Sequence, residues 1–336
     1  MIQFRALVAL VFAATVASAQ SAPILIDTDA GSDDVMAVSL LLSQPGVRID
    51  AITAVNGLAH VEAGARNMGR LLDLAGRQSI PAFAGRNAPL QGNAEFPAEW
   101  RKISDDLPGV PLPAASRRPE TRRAADYLVE RLRNAPVPVQ ILALGPLTNI
   151  AEAMQRDASV AAHIREIVIM GGAVRVPGNL QDGGAFHTRN STAEWNIFID
   201  PMAARIVFRS GVPIRLIALD ATNKVKIDSK FLLEFAAKSH SALGAVVAAV
   251  LHADQESIDQ GIFYAWDPLA AAALLRPSIV KTAAMHVEIK DHPPEEGRTI
   301  ASPGKPNAKV AVDADAAEFL ALFLRSFVRN EKITVP

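Results

Sequence analysis

The sequence predicts an α/β fold: an open, mostly parallel (Rossmann-like) sheet flanked by helices, in a single domain with loop insertions. Three observations predict it. Short β-branched or aliphatic runs alternate with longer helical patterns, the order that parallel strands joined by crossover helices require. No internal repeat and no long low-complexity linker divides the chain. Half of the 336 residues are hydrophobic, enough for one large core.

In chain order, the first element is a secretory signal. Arg5 precedes an apolar run from Ala6 to Val16, and Ala17-Ser18-Ala19 offers a small-x-small cleavage site before Gln20. That run is well short of the roughly 20 residues a bilayer span needs. Residues 1–19 are therefore expected to be removed on export, and residues 20–336 to form one domain with no membrane contact, in the periplasm. Strands are expected at 24–27, 48–55, 139–144, 166–170, 213–219 and 284–289. Amphipathic stretches at 62–75, closed by Gly76 as a C-cap, and at 147–155 read as helices.

Two regions read as insertions. Residues 86–120 are rich in Pro, Gly, Asn and charge, and residues 177–193 are polar and glycine-rich. At the carboxyl ends of strands such loops carry binding function. Arg117, Arg118, Arg122 and Arg123 read as a solvated helix start, because Glu120 and Asp126 dilute their charge.

Composition narrows the chemistry. A formal net charge of −1 supplies no electrostatic reason to bind nucleic acid or an anionic membrane, which leaves a small molecule as the partner. The absence of cysteine excludes disulfides, thiolate metal sites and a thiol nucleophile. Any metal is left to oxygen and imidazole ligands, so hard cations lead.

The strongest signal is a run of acids. Asp27, Asp29, Asp33 and Asp34 crowd the junction between an apolar strand and the next helix. Asp27 and Asp29, two apart, point the same way as the strand ends. Gly31 permits a reversal, and Asp33 and Asp34 then meet the positive end of a helix dipole. Such carboxylates repel one another unless a divalent cation sits among them, and Ca²⁺ with its 6–8 oxygen ligands suits the place. Two plainer readings stand beside this one. The acids could be an N-cap pair with two solvated turn residues. Alternatively, Asp-x-Asp after a first strand serves aspartate-based, Mg²⁺-dependent phosphatases, although the doubled Asp33-Asp34 argues against that class.

Asp27-Thr28-Asp29-Ala30-Gly31-Ser32-Asp33-Asp34 closely resembles the DTDPGxDD signature of the inosine-uridine-preferring nucleoside hydrolases. Further segments follow in that family's order across the mature chain. These are Val55-Asn56-Gly57, Leu144-Gly145-Pro146-Leu147-Thr148-Asn149, Met170-Gly171-Gly172-Ala173, Pro177-Gly178-Asn179, Glu194-Trp195-Asn196 with Asp200-Pro201, and Trp266-Asp267-Pro268. The resemblance implies calcium-dependent cleavage of the N-glycosidic bond of ribonucleosides. It implies that Asp29, Asp34, Asp267 and the Leu144 carbonyl hold Ca²⁺, whose remaining positions take a water and two ribose hydroxyls. Asp29 would take that water's proton, its own pKa kept low by the ion. Asp33, Asn56, Asn179, Glu194 and Asn196 would bond the ribose hydroxyls. Residues 180–193 separate Asn179 from Glu194, so Asn190 competes for its role. Ala30 stands where the signature has proline, a change that loosens the turn without removing a ligand. A homodimer or homotetramer is also implied.

The leaving base decides the substrate. Many members place a histidine before the metal-binding Asp-Pro, where this chain has Trp266. Indole cannot donate a proton at neutral pH, but it stacks on a purine, so a purine preference is expected. Phe263 and Tyr264 could stack instead, and His60, His187, His240 and His252 are the histidines weighed as acids, His187 on a loop able to reach the base. An exported nucleoside- or sugar-binding protein without turnover is the alternative from another class.

Overall fold

A computed structural model describes residues 22–184 and 186–328 of the chain; the expected signal segment lies outside them. Nine strands form the sheet: β1 (Ile24–Thr28), β2 (Ile49–Ala54), β3 (Ala82–Ala84), β4 (Val139–Ala143), β5 (Ile164–Met170), β6 (Ile214–Ile217), β7 (Val280–Ile289), β8 (Thr299–Ser302) and β9 (Ala308–Ala314). Their order is β3-β2-β1-β4-β5-β6-β9-β7-β8. From β3 to β9 neighbours are parallel; β7 runs antiparallel to both β9 and β8. This is the α/β single domain that the alternation of runs predicts.

Burial explains which strands the sequence announces. All five residues of β1 are buried, Ile24 and Ile26 in the core on one face and Leu25 in the core on the other. Helices Ser32–Leu42, Ala242–Ala253, Trp266–Leu275 and Ala316–Phe327 cover the first face, and Ala124–Arg133, Thr148–Arg156 and Pro201–Arg209 the second. Strands β3, β8 and β9 escape sequence reading. The first is only three residues, and the other two belong to the antiparallel end, where solvent reaches one face and the apolar runs break up. For the same reason β7 begins at Val280, ahead of the expected 284. The helix expected at 62–75 spans Val61–Leu74, and Gly76 leaves it with φ +68°, a left-handed conformation suited to glycine. Arg117 departs from its solvated reading: it donates to the Ile80 carbonyl at 2.7 Å. Among the described residues, no helix is long and apolar enough to cross a membrane.

The topology locates the site. After β1 the chain builds outward through β2 and β3, then returns to place β4 on the other side of β1. Crossovers on either side of β1 therefore leave a crevice at the carboxyl ends of β1 and β4, where open parallel sheets bind ligands.

Candidate active site

The carboxyl end of β1 passes through Asp29, Ala30 and Gly31 into helix Ser32–Leu42. Ala30 is fully buried with φ +59°, and its N–H donates to the Thr28 hydroxyl at 3.1 Å. Proline fixes φ near −65° and lacks that N–H. The turn is thus not a loosened version of one built on proline; it has a backbone conformation that proline cannot take. It also grips Asp34, whose carboxylate accepts from the Gly31 N–H at 2.9 Å and from the Thr28 hydroxyl.

Asp29 is held as tightly. One oxygen accepts the Leu58 N–H at 3.0 Å. A Cβ at Gly57 would lie 2.1 Å from that same oxygen, and one at Gly145 would lie 2.9 Å from the Asp29 Cβ, so both glycines are required by close approach. Asp27 does not share this pocket. Its carboxylate accepts from the Thr53 hydroxyl at 2.5 Å and the Asn149 amide at 2.8 Å, which ties β1 to β2 and to the segment after β4.

Asp267, in the first turn of helix Trp266–Leu275, completes the acidic pole. Carboxylate oxygens of Asp33, Asp34 and Asp267 lie within 4.8 Å of one another. The expected ligand set paired Asp29 with Asp34 and Asp267. In the structure the tight trio contains Asp33 instead, while Asp29 sits beside it, turned to the Leu58 N–H and close enough to raise the pKa of Asp33 and Asp267. Burial first, then mutual repulsion, pushes Asp33 up to about 7 and Asp29 and Asp267 well above the carboxylate range. Burial followed by the charge of Asp33 pushes Asp34 up to about 7. Asp267 Oδ1 is buried without a partner among the described residues. Buried carboxylates with an orphaned oxygen and no cationic neighbour in the cavity wall fit a hard divalent cation.

These acids form the floor of a cavity of about 520 Å³. On one side, Glu194 caps the short helix Trp195–Ile199 and also accepts the Gly172 N–H at 2.8 Å; burial pushes its carboxyl up to about 7. The Asn196 amide donates to the carbonyls of Leu144 and Met170, each at 3.3 Å. Leu144, Asn179, Glu194 and Asn196 all line the cavity. Asn190 does not. Its carbonyl oxygen is taken by Thr192 and Ala193 and its amide by the Glu296 carbonyl, so of the two asparagines Asn179 is the one in the cavity wall. Asn56 also lies behind the wall, its oxygen facing the Arg101 guanidinium at 3.5 Å.

The mouth is aromatic. Trp266 lines it with Phe263, their rings 5.6 Å apart; across the opening stand Phe96, Trp100 and Trp195, with Phe96 stacked on Trp195 at 4.6 Å. Tyr264 is not in the wall. Phe96, Trp100 and Ile103 come from the 86–120 insertion, which folds helix Ala98–Asp106 over the opening. Their hint in the sequence was a pair of aromatics in an otherwise polar stretch. Among the described residues no histidine, lysine or arginine lines the cavity: His60 bonds Asp105 at 2.6 Å, and His187, His240 and His252 are exposed outside it.

Comparison with known proteins agrees with this geometry. The profile described as inosine-uridine preferring nucleoside hydrolase matches residues 24–321. A pyrimidine-specific ribonucleoside hydrolase, RihA of Citrobacter koseri, is 34% identical over 312 residues, 89% of this chain and 96% of that protein. A plant nucleoside hydrolase, PpNRh1, superposes with a TM-score of 0.80 at 31% identity, over 91% of this chain and 99% of its own. A purine-preferring ribonucleoside hydrolase from Gardnerella vaginalis gives 0.79 at 27%, over 91% and 98%. A phosphatase and a carrier without turnover are set aside, and the chain belongs to the inosine-uridine preferring nucleoside hydrolases, enzymes that cleave the N-glycosyl bond of ribonucleosides.

Proposed function

We propose that this enzyme is a calcium-dependent hydrolase with a preference for purine ribonucleosides. The observation that carries the reading is the division of one cavity into an acidic floor and an aromatic mouth, joined by the adjacent residues Trp266 and Asp267. Asp34 and Asp267, with Asp29 or Asp33 and the Leu144 carbonyl, would hold the ion. Bound there, calcium supplies charge that orients a vicinal diol and acidifies nearby water. Asp29, pinned by the Leu58 N–H, accepts the proton of the water that attacks the ribose C1′. As the C–N bond breaks, its electron pair leaves with the base, and the buried acids and amides of the floor stabilise the positive charge growing on the ribose. Glu194, Asn196, Asn179 and Asp33, all in the cavity wall, would bond the sugar hydroxyls.

The base departs into a mouth that, among the described residues, offers no histidine. A purine has a basic ring nitrogen that solvent can protonate and a wide face for Trp266; uracil lacks that nitrogen. The name of the Citrobacter koseri relative points to pyrimidines and that of the Gardnerella vaginalis structure to purines, and these residues favour the second. Export by segment 1–19 to a compartment where weak calcium sites fill belongs to the same proposal. The test is kinetic. Inosine is expected to exceed uridine in kcat/KM by about tenfold or more, a margin of about 1.4 kcal/mol, and EDTA to stop ribose release until calcium is restored. Equal turnover of the two nucleosides would overturn the purine preference.

A further inference from the structure

We propose that Asp254 reads the nucleobase: its carboxylate accepts a hydrogen bond from an N–H on the base edge, so that bases presenting such a donor are preferred. The inference rests on the hydrolase reading above and extends it to a residue that no motif of the sequence singles out.

Asp254 joins helix Ala242–Ala253 to helix Gln255–Asp259 and lines the cavity. An aspartate at a helix N-cap ordinarily turns its carboxylate to the first-turn N–H groups. Here the side chain makes no such bond; its carboxylate instead takes the Ser32 side chain as a hydrogen-bond partner, at the edge of the acidic floor. Its Oδ2 is shut from solvent and has no partner among the described residues. Among the described residues, no lysine or arginine lines the cavity to neutralise it. A buried carboxylate oxygen without a donor is costly, and a donor carried in by the ligand is the remedy the fold leaves open.

Position identifies the part of the ligand. The groups suited to ribose hydroxyls, Glu194, Asn196 and Asn179, occupy the side built on helix Trp195–Ile199 and the 177–193 insertion. Asp254 stands with Ser257, Gln260 and Ile262 on the segment that runs on to Phe263 and Trp266. In the proposed pose the base stacks on Trp266 with its edge toward that segment. The other carboxylate there, Glu256, is exposed and already takes the Gln260 amide at 3.1 Å.

The test compares inosine, whose ring carries an N1–H, with purine riboside, which lacks that donor and the adjacent carbonyl. A charge-assisted hydrogen bond predicts that the ratio of their kcat/KM values falls about ten- to a hundredfold in Asp254→Ala. Asp254→Asn, which keeps the shape, should lower the same ratio by a smaller factor and carries the test if the alanine variant does not fold. A ratio unchanged in the folded variant, with both substrates slowed equally or neither slowed, overturns the role of Asp254. If the unmodified enzyme releases ribose from neither substrate, the hydrolase reading itself has failed.

Discussion

The floor and the mouth of the cavity are built by different means. The floor hangs on main chain: Asp29 and Asp34 are fixed by the N–H groups of Leu58 and Gly31, and Gly57 and Gly145 press their backbone against Asp29. The mouth is assembled from side chains of separate segments. Phe96 and Trp100 of one insertion and Phe186 of the other converge on Trp195, and Trp266 faces them from another helix. A backbone-anchored floor resists repositioning, as chemistry that tolerates little misplacement demands. A side-chain mouth can be re-cut by substitution without disturbing the floor.

That division can be broken most forcefully by kinetics. Asp29→Asn removes the base while leaving the side-chain shape, and kcat for inosine should fall about 10²–10⁴-fold with KM little changed. Trp266→Ala removes stacking at the mouth, a loss of about 1–3 kcal/mol, or roughly five- to 150-fold, with a share of it in KM. Steady-state kinetics on both variants checks the ranking. If the tryptophan variant loses as much in kcat as the aspartate variant, floor and mouth do not divide the labour.

A smaller effect separates them by pH. In the metal-free protein, burial holds Asp33, Asp34 and Glu194 at about 7, above their ordinary 3.8 and 4.5. A carboxyl whose pKa is raised by folding binds its proton more tightly in the folded chain than in the unfolded one. Stability is then greatest below the ordinary values and is lost as pH rises toward about 7. The Tm of EDTA-treated protein should accordingly drop between pH 5 and pH 7.5, and calcium, which prefers ionised ligands, should cancel the drop. A metal-free Tm that climbs across that interval would show that the floor is not a repulsive acid cluster. Mouth variants such as Trp266→Ala should leave the slope unchanged.

The same division governs what could be read in the sequence. The acids of the floor are legible because their chemistry needs one residue type at short, fixed spacing after an apolar strand, and β1, β2, β4 and β5 are legible because burial on both faces makes continuous apolar runs. Phe96, Trp100 and Ile103 are not legible: they stand singly among polar residues, with no period to place them on an element, and Phe96 and Trp100 are held at the cavity by packing on Trp195. Asn56 shows how a long-range neighbour escapes local reading: its side-chain oxygen faces the Arg101 guanidinium of the insertion at 3.5 Å, a contact that the Asn-Gly turn gives no hint of. Asp254 carries no local sign at all, since an aspartate between two helices reads as a cap until the structure shows that it does not cap.

The finest contrast lies in the two non-glycine residues with positive φ among those described, one in each region: Ala30 under the floor at +59° and Leu107 closing the mouth helix at +45°. Glycine relieves left-handed strain of about 1–2 kcal/mol at either position. At Leu107, 5% exposed, it also deletes a packed side chain, a loss of about 2–5 kcal/mol, so Leu107→Gly should lower stability by a net of up to about 4 kcal/mol, about 2 kcal/mol at mid-range. At Ala30 only a methyl group is lost, about 0.8 kcal/mol, and the two effects nearly cancel. Denaturant unfolding of Ala30→Gly should therefore stay within about 1 kcal/mol of the parent. Ala30→Pro, the residue of the DTDPGxDD signature, should instead disrupt the turn, because the ring forbids the observed φ and removes the N–H that Thr28 accepts. A proline variant with parental stability and activity would mean that this backbone can switch to a right-handed turn, and that the floor is less rigid than its hydrogen bonds imply.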